Sequence, residues 1–156
     1  MSDLRPTWDE YFMEIAVLAA KRSSCLRPGA KVGAVLVLDR QIIATGYNGA
    51  PAGTLTCLET GCKMIGGHCL RTVHAEMNAL AQAAKRGVST KGAVLYCTHK
   101  PCIHCSKVLI NAGIVTIFYL DAYRAEDEES RFADELLAQA GVAVRQLEPK
   151  KEEGHG

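Results

Sequence analysis

The sequence lacks a long apolar segment, a secretory signal and an excess of either charge. No apolar run approaches the roughly 20 residues that a helix needs to cross a bilayer, and the polar start over residues 1–9 is unlike a signal peptide. Lys and Arg number 18 against 17 Asp and Glu, so the basic surface that binds duplex nucleic acid is missing. We therefore expect a cytoplasmic protein that acts on a small molecule, without a membrane or a nucleic-acid duplex as partner.

Internal repeats and linkers are also missing from the 156 residues. Hydrophobic residues make up 48% of the chain and charged residues 22%, which is ordinary globular composition and excludes a disordered, collagen-like or coiled-coil protein. The length predicts one domain over residues 1–156. Its core is expected over about 8–147, and the charged tail over 148–156 is expected to be flexible.

The pattern of apolar residues and of Gly and Pro predicts a mixed α/β fold. Helices are predicted over 8–22, 74–86, 102–112 and 126–140, and strands over 31–38, 41–47, 93–97, 114–120 and 142–147. The first two strands are separated by two residues, Asp39 and Arg40, which predicts a hairpin. This order implies a mixed sheet covered by helices.

Between the hairpin and the second helix, residues 48–71 are rich in Gly, Thr and Cys and show no period. A loop of this length inside a compact domain is usually functional or held by another group. The chain has 7 cysteines, and without a secretory signal they are expected to stay reduced. Metal binding or catalysis is therefore a better interpretation of these cysteines than a disulfide framework.

Two short segments carry the clearest chemistry. His74-Ala75-Glu76 opens one predicted helix, and Pro101-Cys102-Ile103-His104-Cys105 opens the next. One His and a Cys-x-x-Cys pair supply the three protein ligands of a catalytic zinc site, with Glu76 left to move protons. A lone Cys-x-x-Cys is more often a structural or redox pair, and a lone His-x-Glu is usually a helix surface. Together and in this order they form the pattern typical of zinc-dependent deaminases.

From Trp8 to about Leu147 the sequence resembles the deoxycytidylate (dCMP) deaminase family. Beyond the zinc pattern, the resemblance rests on the segments 32–35 (VGAV), 45–53 (TGYNGAPAG), 71–79 (RTVHAEMNA) and 110–114 (INAGI). The part over 46–53 separates this branch from cytosine, guanine and tRNA-adenosine deaminases. The resemblance implies a cytidine-deaminase-like three-layer α/β/α sandwich with a five-stranded mixed sheet.

The resemblance also implies an activity, the hydrolytic deamination of dCMP to dUMP and ammonia, which supplies dUMP for thymidylate synthesis. His74, Cys102 and Cys105 would hold the catalytic zinc, and Glu76 would take a proton from the attacking water and return protons to N3 and to the amine. The amide of Ala75 would lie near the pyrimidine carbonyl. Family members are commonly homohexamers and often respond to dCTP and dTTP.

Two alternatives stand beside this activity. The chain could deaminate another free base or nucleotide, or the cysteines could all be structural zinc ligands in a module without catalysis. Glu76 argues against the second alternative, because a structural site needs no carboxylate two residues from a ligand.

Substrate contacts are expected at two further residues. Asn48, at a turn flanked by glycines, could reach a sugar hydroxyl, and Tyr123 could pack near the base or phosphate. The alternatives are a plain turn asparagine and an exposed tyrosine at a strand end. The phosphate needs a cation, and the candidates that the sequence leaves open are Arg27, Lys31 and Arg124.

Five cysteines remain beyond the catalytic pair. Cys97 lies in an apolar strand and is interpreted as a small core residue. The other four are predicted to hold a second, structural zinc that some family members have, with His68 as an alternative to the last of them; these four are Cys25, Cys57, Cys62 and Cys69. The other possibility is that they are buried free thiols.

Overall fold

A computed structural model describes residues 4–122 and 127–149. In chain order its elements are α1 (Trp8–Ala20), β1 (Gly33–Leu38), β2 (Gln41–Tyr47), α2 (Cys57–Thr60), β3 (Met64–Ile65), β4 (His68–Cys69), α3 (Ala75–Arg86), β5 (Val94–His99), α4 (Ile103–Asn111), β6 (Thr116–Asp121), α5 (Glu128–Gln139) and β7 (Ala143–Gln146). Among the described residues, no helix is long and apolar enough to cross a membrane.

Every predicted helix and strand is present, with ends that differ by a few residues. His74 and Cys102, which were predicted inside their helices, are the N-caps of α3 and α4, with extended backbone. The segment 48–71 is more ordered than its composition predicted, because it contains α2 and the small β3–β4 hairpin. Such short elements have too few residues to produce a period in the sequence.

The large sheet has five strands in the order β2-β1-β5-β6-β7. β1 pairs antiparallel with both β2 and β5, whereas β5, β6 and β7 are parallel. The turn between β1 and β2 has positive φ at Asp39 (51°) and Arg40 (60°). A two-residue turn with this backbone has a twist that matches the twist of the two strands it joins. The predicted five-stranded mixed sheet is confirmed.

Helices cover both faces of the sheet. Along β1, Ala34 and Leu36 point into a core shared with α3, α4 and α5, while Val35 and Val37 point toward α1. This alternation is the period of two that a strand buried on both sides requires. The three-layer α/β/α sandwich is confirmed.

A glycine in β2 determines how closely α3 approaches the sheet. A Cβ atom at Gly46 would overlap the backbone carbonyl oxygen of Ala75 and the amide nitrogen of Ala79. Only a residue without a side chain allows this contact. Gly46 therefore helps to fix the position of the first turn of α3, which carries the catalytic residues described next.

Candidate active site

The starts of α3 and α4 bring the predicted catalytic zinc ligands together. The Nδ1 atom of His74 lies 3.6 Å from Sγ of Cys102 and 3.4 Å from Sγ of Cys105. One ligand atom from each of the three residues lies within 4.8 Å of the other two. Because His74 and Cys102 are N-caps, their side chains project past the helix ends toward each other.

These distances fit zinc. A tetrahedral ion with ordinary Zn–N and Zn–S bond lengths separates a nitrogen ligand from a sulfur ligand by about 3.6 Å. Hydrogen bonding between the two thiols lowers the pKa of Cys102 to about 3 and raises the pKa of Cys105. Two adjacent thiols, one of which ionises easily, form a donor pair suited to binding a dication.

Glu76 lies behind the ligand cluster, in the first turn of α3. It is 4% exposed, with Oε2 at 3.6 Å from Sγ of Cys105 and Oε1 at 3.2 Å from Sγ of Cys97. Burial raises the pKa of the Glu76 carboxyl above its ordinary value. A buried carboxyl with a raised pKa beside the predicted metal ligands is suited to taking up and releasing a proton.

A cavity of ≈ 150 Å³ opens above the cluster. Its lining includes His74, Ala75, Glu76 and Cys102 from the two helix starts. As the first residue of α3, Ala75 has a backbone N–H without a partner inside the helix, so this donor is available to a molecule in the cavity.

Asn48 also lines the cavity, and it binds the neighbouring backbone. Its Nδ2 donates to the carbonyl of Ala30 at 2.6 Å, and its Oδ1 accepts from the amide of Val32 at 2.8 Å. The hydroxyl of Ser23 donates to the Asn48 carbonyl at 2.9 Å. Asn48 is therefore more than a plain turn residue, because it fixes the segment before β1. A contact with a sugar hydroxyl stays a prediction.

The cavity lining also includes polar residues that the sequence analysis did not assign to substrate, among them His99, Lys100, Asp127, Glu129 and Ser130. Burial lowers the pKa of His99, which lies at the end of β5. Lys100 forms an ion pair with Asp134 of α5 at 2.8 Å. A sequence signal existed for the first two, because residues at the carboxyl end of a parallel strand commonly face the ligand crevice of an α/β sheet.

The structure distinguishes between the basic residues that the sequence offered as candidates for binding the phosphate. Arg27 lines the cavity above the metal ligands, whereas Lys31 lines a neighbouring depression that Arg27 also borders. Arg124 and the predicted substrate residue Tyr123 lie outside the described residues. Among the described candidates, Arg27 is therefore the cation placed at the cavity.

A second cysteine cluster lies in the segment 48–71. Sulfur atoms of Cys57, Cys62 and Cys69 lie within 4.8 Å of one another, and those of Cys57 and Cys69 are 3.7 Å apart. Cys25 lies near Cys62, but its sulfur is not among the three that lie within 4.8 Å of one another. Two sulfurs on one tetrahedral zinc are separated by about 3.8 Å, so the spacing fits this metal too.

The thiols of this cluster differ in their acidity. Burial raises the pKa of Cys57 to about 12, helped by hydrogen bonds with Cys62 and Cys69. Burial also opposes ionisation of Cys69, but amide donation from Arg71 and Thr72 outweighs it and lowers the pKa of Cys69 to about 6. A cluster that already favours one thiolate is prepared for a cation.

Local structure explains how the loop presents these sulfurs. Cys57 is the first residue of α2, whose start is closed by a capping box between Thr56 and Glu59. The Arg71 side chain donates to the carbonyl of Gly61 at 3.2 Å and so ties the two ends of the β3–β4 hairpin. Of the two alternatives for the fourth ligand, Cys69 belongs to the cluster, and His68 is exposed and lines the cavity.

Comparison with known proteins agrees with this geometry. A family model described as the cytidine and deoxycytidylate deaminase zinc-binding region matches residues 6–121. The chain belongs to the cytidine and deoxycytidylate deaminase family. The resemblance inferred from the sequence is confirmed.

Individual members of the deaminase family are similar over most of the chain. ComE operon protein 2 of Bacillus subtilis is 49% identical over 144 residues, which is 92% of this chain and 73% of that protein. The deoxycytidylate deaminase of Saccharomyces cerevisiae is 39% identical over 150 residues, but this chain covers only 46% of its length. The crystal structure of dCMP deaminase from the cyanophage S-TIM5 in complex with dCMP and dUMP has a TM-score of 0.76 and 35% identity, with 93% of this chain and 100% of that chain covered.

Proposed function

We propose that this chain is a zinc-dependent hydrolase that converts dCMP to dUMP and ammonia. One observation carries the proposal: a ligand trio with zinc spacing and a buried carboxyl with a raised pKa meet at one end of a cavity. The names of the relatives support the choice of substrate, since those from yeast and from the cyanophage are dCMP deaminases.

The chemistry divides between the metal and the protein. His74, Cys102 and Cys105 would hold the zinc, which when bound would supply a water of lowered pKa as the nucleophile that the reaction needs. The Glu76 carboxylate accepts the proton of this water as its oxygen bonds to C4 of the pyrimidine. Glu76 then delivers this proton to N3, takes up the remaining proton from the new hydroxyl on C4, and passes it to the amino group. The C4–N bond breaks, and ammonia leaves.

The cavity offers contacts for each part of dCMP. The Ala75 amide donates to the pyrimidine carbonyl, since it is the first N–H of α3. Asn48 contacts a sugar hydroxyl, because each end of its carboxamide has further hydrogen-bonding capacity beyond the backbone bond. Arg27, which lines the cavity, binds the phosphate. The expectation that Tyr123 packs near the base or phosphate comes from the family resemblance alone, because this residue lies outside the described residues.

A second, structural zinc is part of this proposal. Cys25, Cys57, Cys62 and Cys69 would supply four thiolates, which close a tetrahedral site without an open position. Such a site would join the segment after α1 to the loop that follows Asn48. The proposed stoichiometry is two zinc ions per chain, one catalytic and one structural.

Two further properties come to the proposal from the family resemblance, a homohexameric assembly and regulation by dCTP and dTTP, whereas a cytoplasmic location and a single domain come from the composition and length of the chain. Chromatography coupled to light scattering tests the assembly, and added dCTP or dTTP in the activity assay tests the regulation. A monomer that is indifferent to both nucleotides would contradict the first two properties and leave the chemistry unaffected.

A substrate panel tests the activity. Ammonia release is measured with dCMP, CMP, deoxycytidine, cytosine and dCTP in the presence of zinc. We expect the highest kcat/KM with dCMP, because deoxycytidine lacks the charge-assisted phosphate contacts and CMP brings a 2′-hydroxyl that the pocket must fit. Equal kcat/KM for dCMP and deoxycytidine would contradict the proposal and indicate a nucleoside deaminase.

One alternative substrate class has support from structure. The bifunctional diaminohydroxyphosphoribosylaminopyrimidine deaminase/reductase of Thermotoga maritima is 30% identical with a TM-score of 0.65, although this chain covers only 36% of it. A diaminopyrimidine nucleotide therefore belongs in the same panel. Preference for that substrate over dCMP would replace the proposed activity.

A further inference from the structure

The strand β5 places a cysteine directly beneath the proton-carrying carboxylate. Leu95 and Cys97 of β5 point into the core shared with α3 and α4, and His99 farther along the strand lines the cavity. Cys97 is 0% exposed, and its Sγ lies 3.2 Å from Oε1 of Glu76. The sequence analysis interpreted Cys97 as a core residue only, because an apolar strand gives no indication of what a buried thiol contacts.

We propose that the Cys97 thiol is a positioning residue that donates a hydrogen bond to Oε1 of Glu76 and so fixes the orientation of this carboxylate. The inference rests on the proposed function for its catalytic consequence, and on geometry for the contact itself. Cys97 touches neither the substrate nor the metal ligands in this scheme, and it acts through Glu76.

The two oxygens of Glu76 have different neighbours, so the orientation of the carboxylate decides which oxygen faces the predicted metal ligands. Oε1 faces Cys97 in the core, whereas Oε2 lies 3.6 Å from Sγ of Cys105, on the side of the metal ligands. The terminal torsion of a glutamate is broad and is only weakly fixed by its own rotamer preferences. A donor on Oε1 therefore keeps Oε2 turned toward the place where the proton is exchanged.

The chemistry of a thiol suits this task. A buried S–H group is a weak donor that fits an apolar core, so Cys97 can serve Glu76 without requiring other polar partners. Burial and the neighbouring Glu76 raise the pKa of Cys97 well above its ordinary value, which keeps the proton on sulfur. A thiolate at this position would repel the carboxylate.

Kinetic variants separate positioning from packing. Cys97→Ala removes the donor, Cys97→Ser keeps a donor of similar size, and Ile117→Val, in the same core, is the matched control that loses one carbon atom. We expect Cys97→Ala to lower kcat by about tenfold with little change in KM or zinc content, since a hydrogen bond to a charged group is lost. Cys97→Ser should have a kcat within about threefold of the wild type, and so should Ile117→Val.

Packing alone predicts another outcome. Cys97→Ala and Cys97→Ser would then lower the melting temperature and leave kcat unchanged, or the two variants would lower kcat by the same factor. Either result overturns the positioning of Glu76 by Cys97.

An infrared measurement tests the contact without any substrate. The S–H stretching band of Cys97 is identified as the band lost in Cys97→Ser, and hydrogen bonding displaces such a band to lower frequency. We expect the band to move to higher frequency in Glu76→Ala. A band that does not move overturns the inference. If the wild-type chain deaminates nothing in the substrate panel, the proposed function fails, and the infrared result still decides whether Cys97 holds Glu76.

Discussion

The two cysteine clusters have the same sulfur chemistry but differ in the structure that carries them. The predicted catalytic trio, which is His74, Cys102 and Cys105, lies at the starts of two helices that pack on the sheet. The second cluster lies in a loop that contains one short helix and a hairpin of two-residue strands. Both have spacings that fit zinc. The comparison indicates two ways to position metal ligands. They can lie at the starts of helices that the sheet holds in place, or on a loop that a bound metal would itself hold in place.

The surroundings of the two clusters also differ. The trio has a buried carboxyl beside it and a cavity in front of it, so a zinc ion there would have an open position and a proton carrier. The second cluster brings three sulfurs together, with Cys25 near Cys62, and four thiolates would leave no position open on a tetrahedral ion there. We expect variants of the first cluster to change turnover, and variants of the second cluster to change stability and affinity.

The largest effect is expected from loss of a catalytic ligand. Cys105→Ser should remove the catalytic zinc and all measurable turnover, because a catalytic zinc has only three protein ligands and loses one of them. Zinc content by mass spectrometry should fall by one ion per chain. Full activity in this variant would place the catalytic site elsewhere in the molecule.

A nearly equal loss of turnover is expected without any loss of metal. Glu76→Gln keeps the shape of the side chain and removes the proton carrier, so kcat should fall by about 10²- to 10⁴-fold while zinc content stays unchanged. The measurement is steady-state kinetics with dCMP beside zinc analysis. A loss of only a few-fold would contradict the assignment of Glu76 as the general acid and base.

The two clusters also differ in how well the sequence predicts them. His74, Glu76, Cys102 and Cys105 were predicted together, because the two helix starts that carry them form the pattern typical of zinc-dependent deaminases. The ligands of the second cluster are spread over residues 25–69, and their convergence depends on how the loop folds. The sequence therefore left His68 and Cys69 as alternatives, and only the hairpin determines which one faces the cluster.

The same reasoning explains what the fold prediction gained and missed. Apolar and β-branched runs, helix-favouring segments and Gly stops predicted the five strands and four long helices of the sandwich. It could not predict α2 or the β3–β4 hairpin, which are too short to repeat a pattern. Nor could it show the contact between Cys97 and Glu76, because a bond between a strand and a helix depends on tertiary packing.

A smaller effect on turnover but a larger one on stability is expected in the second cluster. Cys57→Ser should lower zinc from two ions per chain to one, decrease the melting temperature and raise KM for dCMP, because Asn48 lies at the start of the loop that the metal would hold. The matched comparison is Glu76→Gln, in which metal and stability are kept. One zinc per chain in the wild type, unchanged in Cys57→Ser, would leave these cysteines as free thiols.

The smallest effect is expected from His68, and it separates the two ligand alternatives. His68→Ala should keep both zinc ions and change the free energy of unfolding by no more than about 0.5 kcal/mol, because the side chain is exposed and lies outside the cluster. Cys69→Ser, at the adjacent position, should release the second zinc and lower the melting temperature as Cys57→Ser does. Zinc analysis and thermal unfolding of the two variants, purified side by side, make the comparison direct. If His68→Ala lost a metal ion and Cys69→Ser kept it, the fourth ligand would be the histidine, and the hairpin would have to turn its other face to the cluster.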